Sequence, residues 1–434
     1  MNHSNWKSEL LNTLETEHLL PREVISACAR VGEELKRAEI RSRLISLLTL
    51  GGLSEREAAN RLEQAEKMLR PESLERLMAL EFGPGWESEF SPGLAEGRLF
   101  LESDRRYVQK WRPLGVIFHI GAGNMDGISG FSALEGLLTG NINLVKLPGT
   151  GDPVSAWLAE TLIRLEPKLS RFLYLFPIRS DDRKAMEELA AAADAVVVWG
   201  GDEAVRAVRQ SVSPGTKIVE WGDRLSFAYL PAASINGELD QSLRLLARHI
   251  AATDQLLCSS CQGIFVDTEK GGTLLEVGRR FLKALETEYA ARAPKTLEER
   301  KRQAAIALEL RTGELESLHE RKRILRGCHC SVTVYGDSRL EPSLQYGNCW
   351  IRPLPASRIV SGLCPYKGKL QTVSVLGIQN LEESAASRLE ERLLAAGVVR
   401  LTSPAHLSVS YEGEPHDGEF SMRRYVKRIS VQIP

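Results

Sequence analysis

The sequence predicts a mixed α/β protein in which a helical N-terminal region precedes a doubly wound parallel sheet and a second α/β lobe. Three observations carry this prediction. Leu and Ile recur with helical spacing through roughly the first 95 residues. Short, continuous apolar runs then alternate with amphipathic segments. The composition, 43% hydrophobic and 26% charged residues, is that of a folded globular chain.

Length and charge exclude several classes of protein. A chain of 434 residues accommodates two or three domains. Lys and Arg total 56 against 57 Asp and Glu, so the basic excess of nucleic-acid and membrane-surface binders is absent. No apolar run is long enough to span a bilayer, and the start lacks the pattern of a secretory signal. Seven cysteines indicate free thiols in a reducing compartment, so we expect a cytoplasmic protein.

Residues 1–95 are expected to be helical, because segments such as AEIRSRLISLLTLGGL place apolar residues on one helical face. Two Pro-Gly pairs, at 84–85 and 92–93, mark the end of this region. Between residues 96 and 222, five strand-like runs alternate with helical segments. Apolar strands separated by amphipathic helices predict a parallel sheet with ligand sites at the carboxyl ends of its strands. The five runs are GVIFHI, NLVKLPG, RFLYLFPI, AVVVWGG and KIVEWG.

Residues 223–405 are predicted to form a second α/β lobe, which includes the helix LRLLARHIAATD and the strand QGIFVDT. Its densely charged segment, 294–327, is typical of a solvated helix. Residues 406–434 close the chain with YVKRISVQIP, whose alternation of apolar and polar residues predicts a half-exposed strand. Because an unpaired strand edge tends to find a partner, we expect a homo-oligomer.

A polar turn, DQLLCSSCQG, carries Cys258 and Cys261 between a predicted helix and a predicted strand. A loop in this position can present a thiol to a cleft and surround it with backbone N–H groups that stabilise a thiolate or an oxyanion. Other interpretations stay open: a buried packing cysteine, a redox dithiol, or a zinc site that recruits Cys328 and Cys330. The spacing of the four cysteines is not that of a usual zinc ribbon, and no metal site is assigned.

Three polar residues come at the carboxyl ends of predicted strands. Asn124, in GAGNMDG, can donate to a developing oxyanion or form an Asx turn. Lys146, in NLVKLPG, is either a ligand contact or a surface lysine. Glu220, in KIVEWG, needs a partner if it is buried, and it is either a general acid or base or the structural partner of an arginine. The segment GGDEAV begins a helix, a position that suits phosphate or ribose contacts.

The order of these segments is more informative than any one of them. GAGN, VKLPGTGDP, VVVWGGDEAV, VEWGD and a cysteine loop before IFVD follow the order found in the aldehyde dehydrogenase superfamily. More closely, DQLLCSSCQGIFVD and GAGNMDGISGFSALEGLLTGN resemble the LuxC-like fatty acyl-CoA reductase family. The resemblance covers about residues 95–434, and the closing YVKRISVQIP is similar to the oligomerisation strand of the superfamily.

The resemblance implies an aldehyde dehydrogenase-like fold with a nucleotide-binding domain (96–222), a catalytic domain (223–405) and an oligomerisation strand segment (406–434). It implies NADPH-dependent reduction of fatty acyl thioesters to aldehydes, with Cys258 as the acylated nucleophile. Cys258 is the cysteine eight residues before the valine of IFV. The motif amide then falls on Asn124 and the motif carboxylate on Glu220. The nucleotide site falls on Lys146, Gly149, Gly200, Gly201 and Glu203.

The choice of NADPH depends on Gly149. Many NAD-preferring aldehyde dehydrogenases have a glutamate three residues after the strand-end lysine, where it would repel a ribose 2′-phosphate. Here Gly149 removes that repulsion, although it also serves as a turn residue. The late Glu-x-Phe-Gly-Pro segment of the superfamily is replaced by KGKLQTVSV, in which Gln371 and Thr372 are the candidates to replace its ribose contact.

The resemblance also implies the partners. The acyl donor is expected to be a fatty acyl-CoA or an acyl-carrier protein, with an acyl-protein synthetase as a further partner. Two alternatives stay open from the sequence alone. One is an NAD-linked acylating or hydrolytic aldehyde dehydrogenase, and the other is a zinc-stapled binding module that uses the four cysteines named above.

Overall fold

The structure is a computed structural model of the chain. It describes residues 6–51, 53, 55–93, 96–102, 105–121, 127–147, 152–235, 238–290, 297–316, 322–410 and 413–433. The chain divides into two compact units, Met1–Gly222 with Tyr411–Pro434 and Asp223–Ser410. Each unit has its own mainly parallel sheet. Among the described residues, no helix combines the length and the hydropathy needed to cross a membrane.

The first unit begins with six helices, as the periodicity predicts. Pro21 and Pro71 each stand at the first position of a helix, where a missing N–H breaks no intrahelical bond. Buried side chains of this region, among them Val24, Cys28 and Met78, belong to the same hydrophobic core as the parallel sheet that follows. The helices are α1 (Trp6–Thr16), α2 (Pro21–Lys36), α3 (Ala38–Leu50), α4 (Glu55–Met68), α5 (Pro71–Phe82) and α6 (Trp86–Phe90).

Two antiparallel strands and a five-stranded parallel sheet come next in the first unit. The parallel sheet has the order β5-β4-β3-β6-β7, so the chain winds outward from β3 in both directions and a switch point lies between β3 and β6. Asp152 caps α8 by accepting from the N–H of Ser155 at 2.9 Å, and Pro153 is the first helical residue, as predicted. The elements are β1 (Arg98–Glu102), β2 (Arg105–Pro113), β3 (Val116–Ile120), α7 (Ile128–Leu138), β4 (Ile142–Lys146), α8 (Pro153–Leu165), β5 (Leu173–Phe176), α9 (Arg183–Ala191), β6 (Ala195–Trp199), α10 (Asp202–Ser211) and β7 (Lys217–Trp221).

The second unit contains a seven-stranded sheet with the order β10-β11-β12-β9-β8-β13-β14. Its neighbouring strands are parallel except β10 and β11. The prediction of a helix through residue 327 is wrong at its end, because β10 pairs with β11 there. The elements are β8 (Leu225–Leu230), α11 (Leu239–Thr253), β9 (Cys261–Val266), α12 (Gly271–Tyr289), α13 (Leu297–Glu316), β10 (Lys322–Arg326), β11 (Ser331–Tyr335), β12 (Asn348–Pro353), α14 (Ile359–Leu363), β13 (Leu370–Val375), α15 (Glu383–Ala396) and β14 (Arg400–Thr402).

The closing strand β15 (Val426–Ile433) returns to the first unit and pairs with β2 in a three-stranded antiparallel sheet, β1-β2-β15. Tyr425, just before β15, is fully buried. Its carbonyl accepts from the N–H of Leu114 at 3.1 Å and from Asn141 Nδ2 at 3.0 Å. These bonds anchor the start of β15 to the parallel sheet, while most side chains of β15 stay partly or fully exposed, as the alternating pattern predicts.

Candidate active site

Cys258 lies in the loop between α11 and β9, and its side chain is exposed. Cys261, three residues later, begins β9 and is fully buried. Burial raises the pKa of the Cys261 thiol to about 12. Since the thiolate and not the thiol is the nucleophile, a cysteine with that pKa is almost inert near neutral pH. The loop therefore presents Cys258 and not Cys261 for covalent chemistry.

The backbone of Cys258 is held by Ser226 on β8. The Ser226 hydroxyl donates to the carbonyl oxygen of Cys258 at 2.7 Å and accepts from the N–H of Thr372 at 3.1 Å. Gln371 Oε1 lies 3.4 Å from the same hydroxyl. The two residues proposed to replace the late ribose contact are thus buried on β13, and they connect through Ser226 to the cysteine loop.

His249, near the end of α11, contacts the same loop. It is 8% exposed, and its Nε2 accepts from the N–H of Cys261 at 3.4 Å. Its Nδ1 lies 3.5 Å from the Ser408 hydroxyl, which is 3.0 Å from that of Ser259. Burial lowers the pKa of His249 to about 4, so the imidazole is neutral near pH 7. A chain of polar groups therefore runs from His249 to the residue beside Cys258.

Ser226 and His249 are not among the residues that the sequence predicts for the site. Ser226 is one serine in an apolar strand, and nothing in its local pattern separates it from a packing residue. His249 offered a weak signal, because it falls three residues after Leu246 on the buried face of α11. Its contact with the cysteine loop depends on tertiary structure.

The carboxyl edge of the five-stranded sheet carries the predicted nucleotide residues. The Nζ of Lys146 donates to the Ser180 hydroxyl at 2.7 Å, and burial lowers the pKa of this lysine. Lys146 is 2% exposed, so it is not a surface lysine. The turn that joins β6 to α10 contains Gly200, whose N–H donates to the Trp221 carbonyl at 3.1 Å, and Gly201, which caps the helix. Glu203 lies exposed in the first turn of α10.

The residues at the switch point fit a dinucleotide. Ser129, in the first turn of α7, is fully buried, and its hydroxyl has no hydrogen-bond partner within the described ranges. A Cβ on Gly121, the residue after β3, would overlap that hydroxyl. The switch point of a doubly wound sheet, beside a helix N-terminus, is where dinucleotide phosphates bind. The unsatisfied Ser129 hydroxyl and the buried Lys146 amine, a hydrogen-bond donor at the strand ends, suit such a ligand.

Two tryptophans border the same edge. Trp199 and Trp221 end β6 and β7, and their rings stack with centroids 5.3 Å apart. The Nε1 of Trp199 donates to the Ser132 hydroxyl at 3.1 Å, and the His416 ring lies 4.9 Å from that of Trp221. The ends of β6 and β7 are therefore closed by stacked rings beside Gly200, of which the Trp221 ring is buried. The sequence alone predicts no role for these two residues.

Glu220 is held by an arginine. Its two carboxylate oxygens accept from Nε and Nη2 of Arg209 on α10, at 2.5 and 2.7 Å. This is the structural partner that the sequence left open, and the role of Glu220 as an acid or base stays a prediction.

The predicted site residues fall into three groups by their position in the chain. Lys146, Gly200, Gly201, Glu203 and Glu220 belong to the first unit, Cys258 belongs to the second, and Asn124 and Gly149 lie outside the described residues.

The described residues provide no cluster of metal ligands for the zinc alternative. Within the described part of the chain, no group of three or more His, Cys, Asp and Glu side chains is arranged to hold a metal ion. Cys330 is buried, and its thiol donates to the Glu286 carboxylate at 2.9 Å, while Cys328 is exposed. The four cysteines of that proposal therefore occupy different environments.

Comparison with known proteins decides the family. The model of the family described as acyl-CoA reductase (LuxC) matches residues 18–428. The chain belongs to this family. It is 25% identical over 343 residues to the long-chain acyl-protein thioester reductase of Photorhabdus laumondii subsp. laumondii, covering 77% of this chain and 67% of that protein. The corresponding protein of Aliivibrio fischeri is 25% identical over 340 residues, covering 75% of this chain and 65% of that one.

Solved structures show the fold of this LuxC-family chain. Glyceraldehyde-3-phosphate dehydrogenase GapN from Methanocaldococcus jannaschii, solved with NADP, superposes with a TM-score of 0.74 at 11% identity, covering 99% of this chain and 93% of that one. Aldehyde dehydrogenase 21 from Physcomitrella patens gives a TM-score of 0.72 at 12% identity, covering 99% and 90%. The predicted aldehyde dehydrogenase-like α/β fold is thereby confirmed.

Proposed function

We propose that this protein reduces fatty acyl thioesters to aldehydes with NADPH, through an acyl-enzyme on Cys258. The observation that carries the proposal is the pair of cysteines in one loop of a LuxC-family chain, one exposed and the other buried with a raised thiol pKa. The printed names of the relatives, long-chain acyl-protein thioester reductases, agree with an acyl thioester as substrate.

In the proposed reaction, the Cys258 thiolate attacks the carbonyl carbon of the thioester and forms a C–S bond. The carbonyl oxygen becomes an oxyanion that the Asn124 amide and the N–H of Cys258 stabilise. Collapse expels the donor thiolate and leaves the acyl group on Cys258. NADPH, held by Lys146 and the turn at 200–201, would supply the hydride that takes this group to the aldehyde oxidation level, and Cys258 leaves as a thiolate.

The proposal gives each region a role. Residues 96–222 bind the nucleotide through Lys146 and the turn at 200–201, and residues 223–405 supply the nucleophile. The acyl donor is a fatty acyl-CoA or an acyl-carrier protein, with an acyl-protein synthetase as a further partner. Residues 406–434 contribute β15 to self-association, since among the described strands β15 pairs with β2 alone.

The direct test is product analysis. The purified chain is incubated with NADPH and a set of acyl-CoA and acyl-carrier-protein donors of different length, and aldehyde and acid are quantified. We expect aldehyde in amounts equal to the NADPH consumed. Acid as the sole product, or no consumption of any donor, would contradict the proposed function.

The nucleotide preference has its own test. Glutamate at position 149 would bring a negative charge toward a ribose 2′-phosphate, and like charges about 4 Å apart near a protein surface repel by a few kcal/mol. Gly149→Glu should therefore lower kcat/KM for NADPH at least tenfold more than kcat/KM for NADH. Gly149→Gln, which adds similar bulk without charge, is the control. A wild-type enzyme that strongly prefers NADH would favour the NAD-linked alternative.

The pairing of Glu220 with Arg209 predicts a change in product. A carboxylate engaged through both oxygens is a poor general base. In the catalytic role that the family motif implies for Glu220, a freed carboxylate would activate water and yield acid. Arg209→Gln should therefore raise the ratio of acid to aldehyde several-fold. Arg206→Gln, which removes an exposed arginine of the same helix, should leave the ratio unchanged. An unchanged ratio in Arg209→Gln, or an increase that persists when Glu220→Gln is added, would contradict this role.

A further inference from the structure

Strained backbone is concentrated beside the Cys258 loop. Four of the five described non-glycine residues with a positive φ form two consecutive pairs, one at the end of α11 and one in the turn before β12. L residues avoid this left-handed region, and they keep it only where their surroundings enforce it. The four are Asp254 (φ 47°), Gln255 (62°), Gln345 (62°) and Tyr346 (50°).

The two pairs are bonded to each other. The N–H of Tyr346 donates to the carbonyl oxygen of Asp254 at 3.1 Å, and the N–H of Gly347 donates to Oε1 of Gln255 at 3.0 Å. On the other side, the Tyr289 hydroxyl donates to the Asp254 carboxylate at 3.1 Å. The end of α11 is therefore fixed against the turn before β12 by both backbone and side-chain contacts.

The amide of Gln255 also reaches the far end of the cysteine loop. Gln255 is 1% exposed. Its Nε2 donates to the carbonyl oxygen of Cys261 at 3.0 Å and to the Ser343 hydroxyl at 2.9 Å. That hydroxyl and the N–H of Ser343 both donate to Oε1 of Gln262, at 2.9 and 3.0 Å. The Gln255 side chain thus connects the start of the loop, where Gln255 lies, to Cys261 at its end and to Ser343 in the facing turn.

We infer that Gln255 is a positioning residue for the nucleophile. Its amide fixes both ends of the segment 256–260, so that Cys258 and the neighbouring N–H groups keep one geometry before substrate binds. Reactions that depend on the placement of a nucleophile lose up to about a hundredfold in rate for displacements near 1 Å. This inference rests on the proposed acyl transfer to Cys258 for its kinetic consequence, whereas the order of the loop is a property of the protein alone.

A matched pair of variants tests the inference. Gln255→Gly and Gln345→Gly each relieve a left-handed residue of the same φ, but only the first removes the clamping amide, because the Gln345 side chain makes no hydrogen bond among the described residues. Gln255→Asn is a second variant that tolerates the left-handed backbone and is too short to span the same contacts. Far-UV circular dichroism and thermal midpoints establish that each variant is folded.

Two readouts separate positioning from bulk stability. Amide hydrogen exchange follows the N–H of Ser260, which bonds to the Leu257 carbonyl at 2.9 Å, and the N–H of Leu257, which bonds to the Ser260 hydroxyl. Quenched-flow mass measurement follows the acylation of Cys258 by a long-chain acyl-CoA. In both Gln255 variants we expect faster exchange in the loop and acylation slowed about ten- to a hundredfold, with little change in KM. Gln345→Gly should behave as the wild type.

The two readouts can fail separately. If wild-type Cys258 is not acylated by any donor, the proposed function fails, and the exchange comparison still decides the role of Gln255. Wild-type exchange in folded Gln255→Gly would overturn the positioning role. Equal losses in Gln255→Gly and Gln345→Gly would also overturn it, because they would assign the effect to the backbone and not to the amide.

Discussion

Replacement of Cys258 by alanine is expected to reduce aldehyde formation to the background of the uncatalysed reaction. The variant loses the sulfur that forms the acyl-enzyme, and Cys261 cannot replace it, because Cys261 is fully buried with a thiol pKa of about 12. Because the Cys258 side chain is exposed, we expect the alanine variant to fold. Aldehyde yield and the thermal midpoint of unfolding are the measurements.

Cys261→Ala is the matched control. It removes a buried sulfur beside Gly263, whose carbonyl accepts from the thiol at 3.2 Å, so some loss of stability is expected from the lost packing. Turnover per folded molecule should remain within the range of the wild type. If Cys261→Ala abolishes turnover and Cys258→Ala does not, the nucleophile is Cys261.

Asn124→Ala is expected to have the second-largest effect. Removal of one side-chain donor from an oxyanion site typically lowers kcat by a factor of about 10²–10³. The affinity for NADPH, measured by fluorescence titration, should change little, because the proposed contact is with the acyl carbonyl oxygen.

Asn124→Asp is a useful companion variant, since it keeps the shape and the turn-forming ability of asparagine without the N–H donor. Both variants should be slow if Asn124 donates to the oxyanion. Near wild-type turnover in Asn124→Asp would return Asn124 to the role of a turn former.

The sheet of the first unit was predictable because both its strands and the helices between them have strong local sequence signals. β3, β4 and β6 are mainly apolar and buried along almost their whole length, and the segments between them show helical periodicity with recognisable starts, such as Asp152 and Pro153 before α8. β10 was not predictable in this way. Its sequence, KRILR, continues a charged stretch, and its strand conformation depends on pairing with β11.

The candidate site was predictable where residue type and loop position coincide. Cys258 stands in a polar turn between a helix and a strand, and Lys146 ends an apolar strand, so local sequence made both candidates, and the family resemblance selected them. Gln255 and His249 could not. Their partners, such as Ser343 and Ser408, lie 88 and 159 residues away along the chain, and only the fold brings these groups together.

Transfer of an acyl group to Cys258 is the step on which the proposed function depends. The most direct test is to incubate the wild-type chain with a long-chain acyl-CoA in the absence of NADPH, digest it, and sequence the modified peptide by mass spectrometry. We expect one acyl group, on Cys258 and not on Cys261, that is released as aldehyde when NADPH is added to the intact protein. An acyl group on another residue, or an unmodified Cys258 with every acyl-CoA and acyl-carrier-protein donor, would contradict it.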